Sequence, residues 1–162
     1  MPDNQKKQVK EVETRDYTIE QKLETSKPPY CLYKYFIKFS DGREGDCCVF
    51  IDTVIKCSCQ FTEAQMKRFM ALGIKKTDIC ICLDSFHPHG RGLYPDKCSF
   101  MRKGVGTEIL ETIIESLKIH NAKFIFCVAS TDSMKAFVQK HKWTYCNRRK
   151  TIFYKMLGTD SS

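Results

Sequence analysis

No run of eighteen apolar residues occurs in this 162-residue chain, so a helical membrane span is not expected. The opening stretch MPDNQKKQVKEVETRD is polar and has no apolar core of the signal-peptide kind, which points to an intracellular, cytoplasmic protein. Two phosphate-binding signatures are missing. There is no G-x-x-x-x-G-K-[ST] run, and the one Gly-x-Gly beside a helix signal lacks the third glycine of the dinucleotide fingerprint. No C-x-x-C pair is present although the chain has ten cysteines. Structural zinc sites usually take that pair in a turn. The C-x-C pairs Cys57/Cys59 and Cys80/Cys82, even with His87 and His89, are a poorer fit, and no metal is expected. Most cysteines sit in apolar runs (CCVFI, CICL, FIFCVAS), as reduced, buried thiols do.

Acidic residues are absent from Ser133 to Thr159, where seven Lys/Arg fall, and the whole chain carries a formal charge of +8. That balance favours anionic partners: a nucleotide, a cofactor phosphate, nucleic acid or an acidic protein. Basic and aromatic residues interleave in KHKWTYCNRRKTIFYK, which keeps nucleic-acid binding open beside a solvated basic face or a docking patch for an anion.

What is present is a mixed α/β pattern without internal repeats, long enough for one domain. Residues 1–16 are expected to be a disordered tail, 17–158 a single domain and 159–162 a C-terminal tail. YCLYKYFIKF and DCCVFIDTVIKCSC read as a hairpin turning near Asp41-Gly42. Phe61, Met66, Phe69, Met70 and Leu72 have helical spacing, and Gly73 ends that helix. DICICLDSF reads as a short buried strand and HPHGRGLYPDKCSFMRKG as a long loop, the kind that carries function. Ile109, Leu110, Ile113, Ile114 and Leu117 form one apolar helix face over 105–120. AKFIFCVAS reads as a central strand covered on both sides, STDSMKAFVQKHK as a capped helix, and WTYCNR and KTIFYKML as closing strands.

The segment RKGVGT lies where the long loop enters a helix. Backbone N–H groups and the positive dipole end meet there, and glycines let a phosphate approach closely. Two readings stand side by side, a phosphate cradle and a tight turn into the helix.

Met101-Arg102-Lys103-Gly104-Val105-Gly106 resembles motif A, [RQ]-x-x-G-x-[GA], of the GCN5-related N-acetyltransferases (the GNAT family). STDSMKAFVQKHKWTY is similar to the family's later helix through Phe137, Lys140 and Trp143, and IFYKML to its closing strands. The resemblance covers about residues 79–157, roughly half the chain. It implies a GNAT-like mixed sheet with helices on both faces in a single domain. It also implies acetyl-CoA as co-substrate, held in a wedge between two splayed parallel strands, its pyrophosphate on the amides of Arg102, Lys103, Gly104, Val105, Gly106 and Thr107 and its pantetheine along the preceding strand. The acceptor implied is a small-molecule or protein amine that attacks the thioester directly.

Asp84, at the end of the strand entering the loop, is then the candidate base, beside the plainer reading of a carboxylate holding a turn. His87, with His89, is the candidate proton relay. The sequence departs from the family pattern at Met101, Thr131, Val138 and Lys142, and in having the 61–76 helix after the hairpin rather than after the first strand. Val138 stands where the family often has a tyrosine that protonates the leaving thiolate, and Tyr145 or Tyr154 would have to take that part. A non-catalytic module of the same build, binding a cofactor or a partner, is the alternative that the missing tyrosine keeps open.

Overall fold

The computed structural model describes residues 17–90, 104–129, 131–145 and 151–158. Both expected tails, most of the long loop, and Arg102 and Lys103 lie outside these residues. The elements are β1 (Tyr17–Lys27), β2 (Tyr30–Phe39), β3 (Glu44–Thr53), α1 (Glu63–Ala71), β4 (Ile79–His87), α2 (Val105–Ser116), β5 (Phe124–Val128), α3 (Asp132–Lys140), β6 (Thr144–Tyr145) and β7 (Ile152–Met156). The seven strands form one mixed sheet in the order β1-β2-β3-β4-β5-β7-β6. β4 and β5 pair in parallel, and every other neighbouring pair among the described residues is antiparallel.

Side-chain alternation along β5 explains the layers. Ile125 and Cys127 face one core with Ile81, Leu83 and Phe153, covered by Ile109, Leu110 and Ile113 of α2 and Val138 of α3. Phe124 and Phe126 face the other, with Cys80, Cys82 and Tyr154, under Phe69 of α1. There the Phe69 ring stacks on Phe124 at 4.7 Å and meets Tyr154 edge-on at 5.1 Å. The crossovers from β4 to β5 and from β5 to β6 run the same way across the sheet, so right-handed connections put α2 and α3 on one face. α1 lies on the other. The chain is thus a single α/β domain with helices on both faces.

Local chemistry sets the helix ends. Thr62 and Gln65 form a reciprocal capping box at α1. Gly73, at φ +90°, closes it through Gly73 N–H to Met70 O and Ile74 N–H to Phe69 O. Thr131 caps α3 by accepting from Met134 N at 3.1 Å. α2 differs. Its first residue follows Gly104, a left-handed residue at φ +76° with no side chain to offer.

Three sequence expectations shift. β1 is a full strand of the sheet in a stretch where no element was expected. β3 ends at Thr53, so Val54–Cys57 form a turn rather than strand. Gly45, expected in the hairpin turn, is inside β3, where a Cβ would stand 2.7 Å from the His87 carbonyl oxygen and nearer still to the Pro88 carbonyl. The remaining elements fall where periodicity puts them. None of the eight described cysteines is in a disulfide, and six are buried. No described helix is long and apolar enough to cross a membrane.

Candidate functional site

Pairing between β4 and β5 runs from Cys80↔Phe124 to Leu83↔Cys127 and stops, while β4 continues to His87 beside β3. At that point β4 bulges. Val49 faces Leu83 and Cys48 faces Ser85, so Asp84 is the extra residue. Beyond Leu83, no strand among the described residues pairs with the β4 edge that faces β5. Backbone donors and acceptors there are available to something extended.

A cavity of about 590 Å³ fills this opening. One wall is Leu83–Gly90, from the bulge through the turn after β4; a second is Gly104, Gly106 and Thr107 at the start of α2. Cys127, Val128 and α3 complete it, chiefly through Met134, Phe137 and His141. Phe137 lies 5.6 Å from the Phe86 ring and 4.6 Å from His141, so an aromatic row lines the α3 side. His141 Nε2 and Thr107 Oγ1 are 2.7 Å apart. Burial, then Lys140 and Lys155, hold the His141 pKa below its ordinary value, with Glu111 opposing.

The outer wall is pinned to the β2–β3 hairpin. His89 is 2% exposed and its ring stacks on Phe39 at 5.8 Å, with the Arg43 guanidinium 4.9 Å from the same Phe39 ring. Burial and the Arg43 charge push His89 down to about 4, so it is neutral at physiological pH and supplies no proton there.

The two glycines of RKGVGT have different reasons to be glycine. Gly104 has a backbone conformation that L side chains rarely adopt. Gly106 is helical, and a Cβ there would rest 3.6 Å from Phe137 and 3.7 Å from Pro88, ordinary contact distances. The fold therefore tolerates a side chain at Gly106. Any such atom would take space at the cavity wall beside N–H groups that no described side chain caps, a kind of helix start that can receive an anion.

Of the sequence candidates, Asp84, His87, Gly104, Gly106 and Thr107 line this one cavity. Val105 points into the core. Arg102 and Lys103 lie outside the described residues. Tyr145 is on β6, opposite Phe153 and outside the cavity lining, three strand spacings or roughly 14 Å from Leu83. Tyr154 is buried in the α1-side core, and Val138 is fully buried. Sequence reading missed His141, Met134 and Phe137 as cavity residues. Met134, Phe137 and Val138 share a helical spacing that reads as an inward face alone, and His141, one turn after Phe137, extends it. No protein-family model matches the chain, and no curated protein matches it in sequence.

Proposed function

We propose that this chain is an N-acetyltransferase of GNAT-like build that takes acetyl-CoA in the β4–β5 wedge and transfers its acetyl group to an amine. The observation that carries the reading is the cavity where the parallel strands part, walled by a glycine-bearing helix start that no described side chain caps. A pyrophosphate suits that start, and the amides of a pantetheine arm suit the β4 edge beyond Leu83. Resemblance over residues 79–157 points the same way.

In this reading the amine attacks the thioester carbonyl from the Asp84 side. The N–C bond forms, the C–S bond breaks and the acetyl group becomes an amide. Asp84, exposed at the bulge, takes the proton lost by the amine, directly or through water. The leaving thiolate, with an ordinary thiol pKa of about 8.5, takes its proton from solvent.

Titrating the protein with acetyl-CoA by calorimetry tests this. Binding in the micromolar range, abolished by Gly104→Asp, is expected, because the carboxylate would meet the phosphates while aspartate tolerates the left-handed conformation. Absence of binding removes the proposal. A second reading, a binding module without catalysis, is favoured by one observation: among the described residues that line the cavity none is a tyrosine. Tight acetyl-CoA binding with no turnover on any amine would select it.

A further inference from the structure

β1 (Tyr17–Lys27) is the outermost strand of the sheet, and no described strand pairs with its far side. It contains no proline and is exposed at Thr18 and from Glu20 to Glu24. Such an edge offers backbone donors and acceptors to any extended chain, and folds usually guard it with a lysine or a bulge. β1 has both. Lys22 stands at mid-strand, 63% exposed, and Glu24 is the extra residue where the register with β2 shifts. Lys22 Nζ lies 3.6 Å from Glu24, and Lys34 Nζ lies 3.4 Å from the same carboxylate. No described residue forms an ion pair with Glu20.

One partner passes this guard, a second copy of the same strand. Two antiparallel copies joined edge to edge are related by a two-fold axis normal to the sheet. Facing residues then share a face, and every register is centred on one residue. Centring on Glu20 sets that carboxylate against itself. Centring on Lys22 opposes two lysines and sets Glu20 against Glu24. Centring on Gln21 sets Glu20 against Lys22 of the second copy and Ile19 against its Leu23, each twice by symmetry. Leu23, 49% exposed, gains an apolar neighbour, and Ile19, which packs against the α2-side core, extends that core across the seam. The lysines of β2 fit this register. Lys34, opposite Lys22, is held by Glu24, and Lys38, opposite Thr18, falls in the row of the second copy's Glu24. Gln21 itself is held inward, donating to Tyr35 Oη at 2.8 Å and Ser116 Oγ at 3.2 Å. Those bonds put the end of α2 over the same strand. His120 meets Tyr33, the residue facing Leu23, at 2.8 Å, and Ile119 beside it is 80% exposed.

We propose that β1 is a self-association edge, on which a second copy of this chain pairs antiparallel about Gln21 and makes one continuous sheet. The two α2 ends approach each other on one side of that sheet, where Ile119 finds cover. A foreign peptide could add to the same edge through main-chain bonds alone. A copy of β1 also supplies opposite charges and apolar pairs in a single register, and that is what favours it. The β4–β5 wedge lies three strands from the seam, so each copy keeps its cavity whole. The pairing therefore does not depend on what the wedge binds.

Sedimentation velocity of the full chain, from micromolar to near-millimolar concentration, tests the proposal, with amide exchange of β1 read on the same samples. A monomer–dimer equilibrium is expected, with protection of Ile19–Leu23 rising as the dimer fills. Glu20→Lys is expected to weaken the dimer about tenfold or more, because two attractive pairs become repulsive. Adding Lys22→Glu to that variant restores opposite charges and should return the dimer to within about threefold of the original. Both positions are exposed, so the fold withstands either change. A monomer at every concentration overturns the proposal. So does a dimer whose β1 amides exchange as fast as the monomer's, or one that Glu20→Lys leaves unchanged. A dimer weakened equally by the single and the double variant overturns the register about Gln21 and the proposal with it.

Discussion

Thr107 Oγ1 and His141 Nε2 lie 2.7 Å apart, joining the first turn of α2 to the residue that closes α3. The contact fixes an imidazole at the cavity rim beside the proposed phosphate seat, with a pKa already held down by burial and by Lys140 and Lys155. A bound pyrophosphate would reverse that pressure by favouring the imidazolium. Acetyl-CoA binding should therefore take up protons near neutral pH, and affinity should rise as pH falls through the His141 titration. Calorimetry in buffers of different ionisation enthalpy reads the uptake. His141→Phe should abolish it, and uptake persisting in that variant would assign the proton elsewhere.

Gly106→Ala should separate stability from binding. Alanine in a helix stabilises by up to about 1 kcal/mol over glycine, and the added Cβ meets only ordinary contacts. Unfolding by urea should show equal or higher stability, while acetyl-CoA affinity falls tenfold or more. Unchanged affinity would mean that Gly106 is not at the phosphate seat.

Gly45→Ala should do the opposite. Its Cβ would press on the Pro88 and His87 carbonyls, backbone that can yield only if the turn after β4 moves. A loss of about 2–3 kcal/mol is expected in denaturant titration. A loss below about 0.5 kcal/mol would show that the turn is free to shift.

His89 makes the fold acid-sensitive over a defined window. Its folded pKa of about 4 lies below the ordinary 6.5, so between these values the unfolded chain holds a proton that the folded one does not. Stability should be full above pH 6.5 and fall by up to about 3 kcal/mol as pH drops toward 4. Urea midpoints at pH 7, 5.5 and 4.5 measure this, and His89→Phe should flatten that part of the profile.

Asp84→Asn should lower acetyl transfer by about a hundredfold or more, whereas Tyr145→Phe should stay within about twofold. An equal loss in both variants would bring Tyr145 into the chemistry from β6.

The sequence signals that succeeded were those in which one physical demand dominates. FIFCV is apolar at every position because β5 is covered on both faces, and VGTEILETIIES repeats at helical spacing because α2 lies flat on a core. β1 escaped notice because only Tyr17 and Ile19 pack against the core, leaving YTIEQKLETSK with hardly any alternation. Of the candidate site, the glycines and Asp84 stood out in the chain, but the bulge did not. It is a property of pairing between β3 and β4, separated by α1, and no local pattern encodes it. Gly45 was misplaced for a similar reason, since its neighbour Pro88 is 43 positions away in sequence.

The parallel rungs Cys80–Leu83 against Phe124–Cys127 also govern how the chain reaches this form. β1, β2 and β3 are sequential antiparallel neighbours that can zip from their turns. β4 and β5 can meet only after the intervening loop and α2 have closed on themselves, a slower and entropically dearer event. The wedge is accordingly expected to be among the last features to assemble and the first to open in amide exchange. A molecule lodged there would act as a late clasp on folding, slowing loss of protection in β5 and α2 more than in the hairpin.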